Sequence, residues 1–159
     1  MAAVKSWIAN IADRVLHTRA LVRAPIWVYR AGLGFVFGSR LLMLEHIGRT
    51  TGARRYVVLE VIDHPSPDVY VIASGFGVQA QWFRNVMADV RVRISVGGRR
   101  GVAATARRLS PGEADLALSR YIERHPRAWE SLRTVIEGAL HGRVAPPGTE
   151  VPMVEIRVR

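Results

Sequence analysis

Cysteine is absent from the chain, which rules out disulfides, thiolate nucleophiles and Cys-zinc sites. Lysine is almost absent too: Lys5 is the single lysine among 23 basic residues. Metal-ligand spacing is missing, since His17, His46, His64, His125 and His141 form no His-x-His or His-Glu-x-x-His pair. Each histidine is therefore read as a surface or structural residue, and no metal is expected. No Gly-x-Ser-x-Gly elbow is present, which argues against a serine hydrolase. A membrane span needs roughly 18–20 uncharged apolar residues. The longest candidate, residues 28–44, is broken by Arg30 and Arg40. The first residues hold Lys5, Asn10, Asp13 and Arg14 and leave no apolar signal-peptide region, so a cytoplasmic location is expected.

What is present is ordinary globular material with an extreme charge. The 159 residues are 49% hydrophobic and 23% charged, enough for one domain with a real core. The formal net charge is +10 and the isoelectric point near 11.4. Such a surplus calls for an anionic partner: nucleic acid, an anionic membrane face or a polyanionic small molecule. Arginine suits bidentate grips on phosphate and carboxylate.

Along the chain, residues 4–18 carry Val4, Trp7, Ile8, Ile11 and Val15 at helical spacing. Residues 1–24 are accordingly read as an amphipathic helix, either a packing element or a membrane-surface contact. Residues 25–159 form the main domain, with Pro25 opening a second helix. Strands are expected over residues 40–47, 55–62 and 69–73, with a turn at 65–68. A helix follows over 79–88. The segment 91–96 alternates strictly, Val92, Ile94 and Val96 against Arg91, Arg93 and Ser95, as a half-buried strand does. Gly97-Gly98 suits a hairpin turn with positive φ at both positions. Val102, Ala104 and Ala106 carry the alternation back.

Ser110-Pro111-x-Glu113 reads as a capping box with proline at the first helical position. That helix is expected to break at His125-Pro126, a second helix to cover 127–140, and a last strand 151–158. Strands this closely spaced leave no room for βαβ crossovers. The fold class is α+β with a mainly antiparallel barrel of about six strands, N-terminal helices, one inserted helix and two helices before the last strand.

Two loops carry the candidate chemistry. Gly48-Arg49-Thr50-Thr51-Gly52-Ala53-Arg54-Arg55 offers a tight turn, two hydroxyls and three guanidinium groups for phosphate or carboxylate. It is not a Walker A loop, because the Gly-Lys-Ser/Thr ending is missing and a strand follows. Ala73-Ser74-Gly75-Phe76-Gly77 ends an apolar strand and leads into a helix bearing Trp82, Arg84 and Asn85. A strand end, a glycine loop and a helix start make a small-molecule cradle with an aromatic wall. A basic hairpin turn, or a plain turn beside a core tryptophan, would produce the same residues.

Taken together, Leu41-Leu42-Met43-Leu44, Gly48-Arg49-x-Thr51-Gly52-x-x-Arg55, Ala73-Ser74-Gly75-x-Gly77 and Trp82-Phe83-x-Asn85 resemble the ordered signatures of deazaflavin-dependent nitroreductase-like proteins. The likeness runs from about Pro25 to the C-terminus. It implies a split β-barrel related to pyridoxamine-phosphate-oxidase-like flavin-binding proteins, and coenzyme F420, an 8-hydroxy-5-deazaflavin, as cofactor, with FMN as the alternative. The first signature, Gly48 to Arg55, would then hold the phosphate and oligoglutamate tail through Arg49, Thr50, Thr51, Gly52 and Arg55. The second would seat the ring on Ser74, Gly75, Phe76 and Gly77, walled by Trp82, Arg84 and Asn85.

The implied activity is hydride transfer from reduced F420 to a quinone, enone or nitro compound. Tyr29, Tyr56 and Tyr70 are candidates to protonate the acceptor, and no spacing argument selects one of them. Thr50 stands where the family carries Lys or Arg, a loss that Arg54 could offset. Phe83 stands where Tyr is usual. Two other readings use the same residues: a carrier that binds F420, FMN, haem or lipid without turnover, and a basic nucleic-acid binder. A homodimer is compatible with all three. The arginines are spread along the chain and no nucleic-acid motif is present, which ranks the last reading lowest.

Overall fold

The computed structural model describes residues 38–159. The helices expected over residues 4–18 and from Pro25, with Tyr29, lie outside the described residues. Six strands close into a barrel: β1 (Leu41–Ile47), β2 (Arg54–Ser66), β3 (Val69–Ala73), β4 (Arg91–Val96), β5 (Arg99–Arg108) and β6 (Met153–Val158). Their order around the barrel is β1-β2-β3-β6-β5-β4, and β4 pairs back onto β1. Every pairing is antiparallel. Helix α1 (Gln81–Ala88) is inserted after the third strand, and α2 (Pro111–Arg124) and α3 (Pro126–Leu140) precede the last. This is the α+β split barrel expected from the sequence.

Two cores share the sheet. Leu42, Leu44, Tyr70, Ile72, Val92, Ile94, Val96, Val154 and Ile156 fill the barrel, and α1 packs Trp82, Phe83 and Val86 into the same cluster. On the outer side, Ile62, Val71 and Met153 meet Ala117, Leu118 and Tyr121 of α2 and Trp129 and Ile136 of α3. Strand β3 is therefore apolar on both faces, which explains its unbroken Val-Tyr-Val-Ile-Ala run. Strand β4 alternates because Arg91 and Arg93 on its other face are exposed. Each large apolar side chain taken from water contributes about 1.5–3 kcal/mol, so these two clusters dominate the stability.

Several boundaries differ from the sequence reading. Strand β2 continues through Pro65 to Ser66, because register shifts between Val61 and Asp63 and between Asp63 and Ser66 accommodate a residue without an amide hydrogen. At the β4–β5 turn Gly97 has φ +56° while Gly98 does not enter the left-handed region. Ser95, expected to face solvent, is buried, and its Oγ accepts the Gly101 amide at 2.9 Å. Helix α1 starts at Gln81, after a 3-10 turn over Gly77–Gln79.

The capping box stands as expected. Ser110 Oγ accepts from Glu113 N at 3.3 Å, and Glu113 Oε2 accepts from Ser110 N at 2.8 Å. A hydrogen bond from Arg107, with those from Ser110, holds the Glu113 carboxyl down to about 2. No helix among the described residues is long and apolar enough to cross a membrane.

Candidate functional site

A cleft of about 770 Å³ lies where the β1–β2 loop meets the start of α1. The β1–β2 loop is closed on itself: Gly48 N donates to Ala53 O and Gly52 N to Gly48 O, both at 2.8 Å. Gly52 sits at φ +68°, where a side chain is strained. A Cβ on Gly48 would stand 3.0 Å from Thr51 Oγ1 and 3.4 Å from Ala53 O, so the turn is as tight as a glycine allows. The amides of Thr50 and Thr51 donate to nothing among the described residues, which leaves them to a ligand or to water.

Arg49 ties this loop to α1. Its backbone N and Nη1 donate to Asn85 Oδ1 at 3.1 and 2.8 Å, and its Nη2 donates to Gln81 Oε1 at 3.0 Å. Both partners are neutral amides, so the guanidinium is positioned without losing its charge. The Asn85 side chain is buried, and its Nδ2 reaches His46 Nδ1 at 3.2 Å. His46 pairs with Arg55 across β1 and β2, on the same face of the sheet. Burial, aided by the Arg55 charge, lowers the His46 imidazole to about 4. The wall thus carries two guanidinium groups and a neutral histidine. Among the described residues, no acidic side chain lines the cleft.

Of the residues singled out in the sequence, Gly48, Arg49, Thr50, Thr51, Arg55, Phe76, Trp82 and Asn85 line this one cleft. Gly52 shapes the turn behind them. Arg84 is exposed on α1 outside the lining. Ser74, Gly75 and Gly77 also lie outside it, facing the other way. Ser74 is buried with its hydroxyl donating to Gly77 O at 2.6 Å and its amide to Pro152 O at 2.8 Å. A Cβ on Gly75 would meet Ile136 at 3.4 Å, and one on Gly77, at φ +77°, would come within 2.8 Å of Leu140 Cδ2. The close approach of α3 accounts for both glycines, while Phe76 between them is 62% exposed and turned to the cleft.

The two departures from the family signature also find their places. Arg54 does not replace the charge lost at Thr50: it points away from the cleft and faces Glu45 Oε1 at 3.6 Å. Phe83 is buried in the barrel core, edge-on to Trp82 at 5.8 Å, with the Arg108 guanidinium 5.4 Å from its ring centre. The hydroxyl of a tyrosine there would sit away from the cleft. Among the tyrosines, Tyr56 lines the cleft, whereas Tyr70 is in the core, stacked on His64 at 4.2 Å.

Gln79, Ala80, Gln81 and His46 were not singled out from sequence. For His46 a signal existed: it shares the inward parity of Leu42 and Leu44 and stands two residues before the glycine loop. Its partner on α1 is fixed by tertiary packing, which no local pattern reports.

The fold is that of a split-barrel protein, and its cleft is cationic and part-aromatic. Residues 21–135 match the F420H(2)-dependent quinone reductase family, and the chain belongs to it. It is thereby an F420-type oxidoreductase. No curated protein matches the chain. Among solved structures, a domain-swapped dimer is 19% identical with a TM-score of 0.54, covering 96% of this chain and 98% of its own. The protein Atu2129, of unknown function, from Agrobacterium tumefaciens C58 is 19% identical with a TM-score of 0.54, over 86% of this chain and 55% of that one. An F420-H2 dependent reductase is 18% identical with a TM-score of 0.52, over 74% and 94%. At these identities the likeness is one of fold.

Proposed function

We propose that the chain passes hydride from reduced F420 to an organic acceptor of the quinone, enone or nitro type. The observation that carries this reading is the cleft wall: Arg49 and Arg55, with no acidic residue among the described lining, together with exposed Phe76 and with Trp82. A coenzyme with a phosphate and several carboxylates finds there guanidinium donors and the free amides of Thr50 and Thr51. Its flat ring finds an apolar surface. F420 supplies the hydride when bound. The protein's own part is to hold the tail, seat the ring and exclude water from the acceptor.

Hydride delivered to a quinone leaves an oxyanion that takes one proton to become the hydroquinone. We assign that proton to Tyr56, the one tyrosine that lines the cleft among the described residues. Residues 25–159 form the coenzyme-binding unit in this reading. The dimeric state of the first structural relative supports a homodimer here as well.

The test is a mixing experiment. Reduced F420 and menadione are added to the protein and the deazaflavin absorbance is followed. Oxidation dependent on the protein supports the reading. Coenzyme binding without oxidation reduces the protein to a carrier, and binding of FMN in preference to F420 moves the assignment to an ordinary flavin.

A further inference from the structure

The hydrogen bonds around Asn85 determine which nitrogen of His46 carries the proton. A backbone N–H and a guanidinium offer donors only, so the atom of Asn85 that meets both Arg49 groups must be its amide oxygen. The amide nitrogen then faces His46 Nδ1 at 3.2 Å. A donor in that position is met by a lone pair, which leaves Nδ1 unprotonated and places the hydrogen of the neutral ring on Nε2. His46 Nε2 has no partner among the described residues, although the residue is only 4% exposed, and the ring lines the cleft. A second proton, at Nδ1, would set N–H against N–H and bring a cation beside Arg55.

We infer that His46 is a binding residue whose Nε2–H donates to a phosphate oxygen of the ligand, with its tautomer set by the Arg49–Asn85 pair. The location follows from the register. His46 and Arg55 lie directly opposite on one face, and Arg49 closes the loop that follows β1, so an anion gripped by the two arginines rests over the imidazole. A neutral N–H completes the shell of such an anion without adding a third charge to the wall. The inference rests on the F420 reading for the identity of the ligand. The tautomer itself does not depend on it.

Two measurements test it. The first is long-range 15N–1H NMR on the free, histidine-labelled wild-type protein at neutral pH, with His46 assigned by the signal lost in His46→Gln. The expected pattern is a neutral ring protonated at Nε2; protonation at Nδ1 or at both nitrogens overturns the inference. The second compares binding of F420 with that of its ring-and-ribityl fragment lacking phosphate and tail. Wild type, His46→Gln and His46→Leu are used, each checked for a wild-type thermal melt.

Glutamine can place an N–H near the position of Nε2, whereas leucine cannot. The expected result is a loss of about tenfold for F420 in His46→Leu, most of it recovered in His46→Gln, and little change for the fragment. Equal losses for both ligands, or a glutamine variant as weak as the leucine one, overturn the inference. A wild-type protein that binds neither ligand overturns the F420 reading instead, and shows as such because the NMR pattern is read without ligand.

Discussion

The two glycine loops look alike in the sequence and do opposite work in the structure. In the β1–β2 loop the glycines close a turn on itself and leave the outer surface, with Arg49, Thr50, Thr51 and Arg55, to the cleft. In the loop after β3 the glycines let α3 come close, and the serine hydroxyl is spent on holding the turn. A glycine therefore signals close approach without saying what approaches. Here one loop is tight and turns its side chains to the cleft, and the other is tight because Leu140 and Ile136 press on it.

The largest effect expected from this difference is on coenzyme binding. Replacing both Arg49 and Arg55 with alanine removes the two cations of the wall. Charge-assisted bonds are worth ~1.5–3 kcal/mol each when well formed, and less at an exposed site. The double variant is expected to weaken F420 binding by roughly 30- to 300-fold by isothermal titration, and to flatten its salt dependence. Of the single variants, Arg49→Ala should also loosen the loop, because Arg49 is the link to Asn85 and Gln81. Unchanged affinity in the double variant would break the comparison at its first term.

The second loop should answer in stability. Gly77→Ala puts a side chain at φ +77° and against Leu140. The left-handed conformation costs about 1–2 kcal/mol and the overlap roughly 1 more, so a destabilisation of about 2–3 kcal/mol is expected in urea. Gly52→Ala, at φ +68° with open space around it, should show the conformational part alone. The decisive control is Leu140→Ala. It should cost less in the Gly77→Ala background than in wild type, with a coupling near 1 kcal/mol in a double-mutant cycle. Additive losses would show that α3 is not what the glycine accommodates.

Much of this was legible in the sequence, and what was not has a common cause. The bounds of strand β4 could be read to the residue because Arg91 and Arg93 are wet and its first residues alternate, although Ser95 is buried. The start of α2 was equally plain, since Ser110, Pro111 and Glu113 form a self-contained signal. The end of β2 was misplaced because Pro65 ordinarily stops a strand, and the register shifts that tolerate it depend on β3. The same divide runs through the site. Arg49, Arg55, Trp82 and Asn85 belong to spaced signatures and fall in one cleft. His46 and Gln81 belong to none. They became visible when α1 was laid across the β1–β2 loop, a contact between residues more than thirty apart.

The smallest effect separates the loops by pH. His46 stands behind the first loop, and no titrating group stands in the second, from Ser74 to Gly77. The groups that face the imidazole are Asn85 of α1, Arg49 of the loop and Arg55 of β2, with Tyr56 on the same cleft wall. Its folded value of about 4 lies below the ordinary 6.5, so between those values the unfolded chain binds a proton that the folded protein refuses. Stability from this group is therefore complete above pH 6.5 and is lost as the pH falls towards 4.

The cleft admits solvent, which limits the loss to roughly 1–2 kcal/mol. His46→Gln should remove that slope from a urea series between pH 4 and 7, whereas Gly75→Ala should shift the whole curve and keep it. Glu113 contributes its own acid sensitivity lower down, from about 4.5 towards 2, and should be untouched by either change. If the His46→Gln curve kept the wild-type slope above pH 4.5, the histidine would not be the buried neutral group behind the first loop.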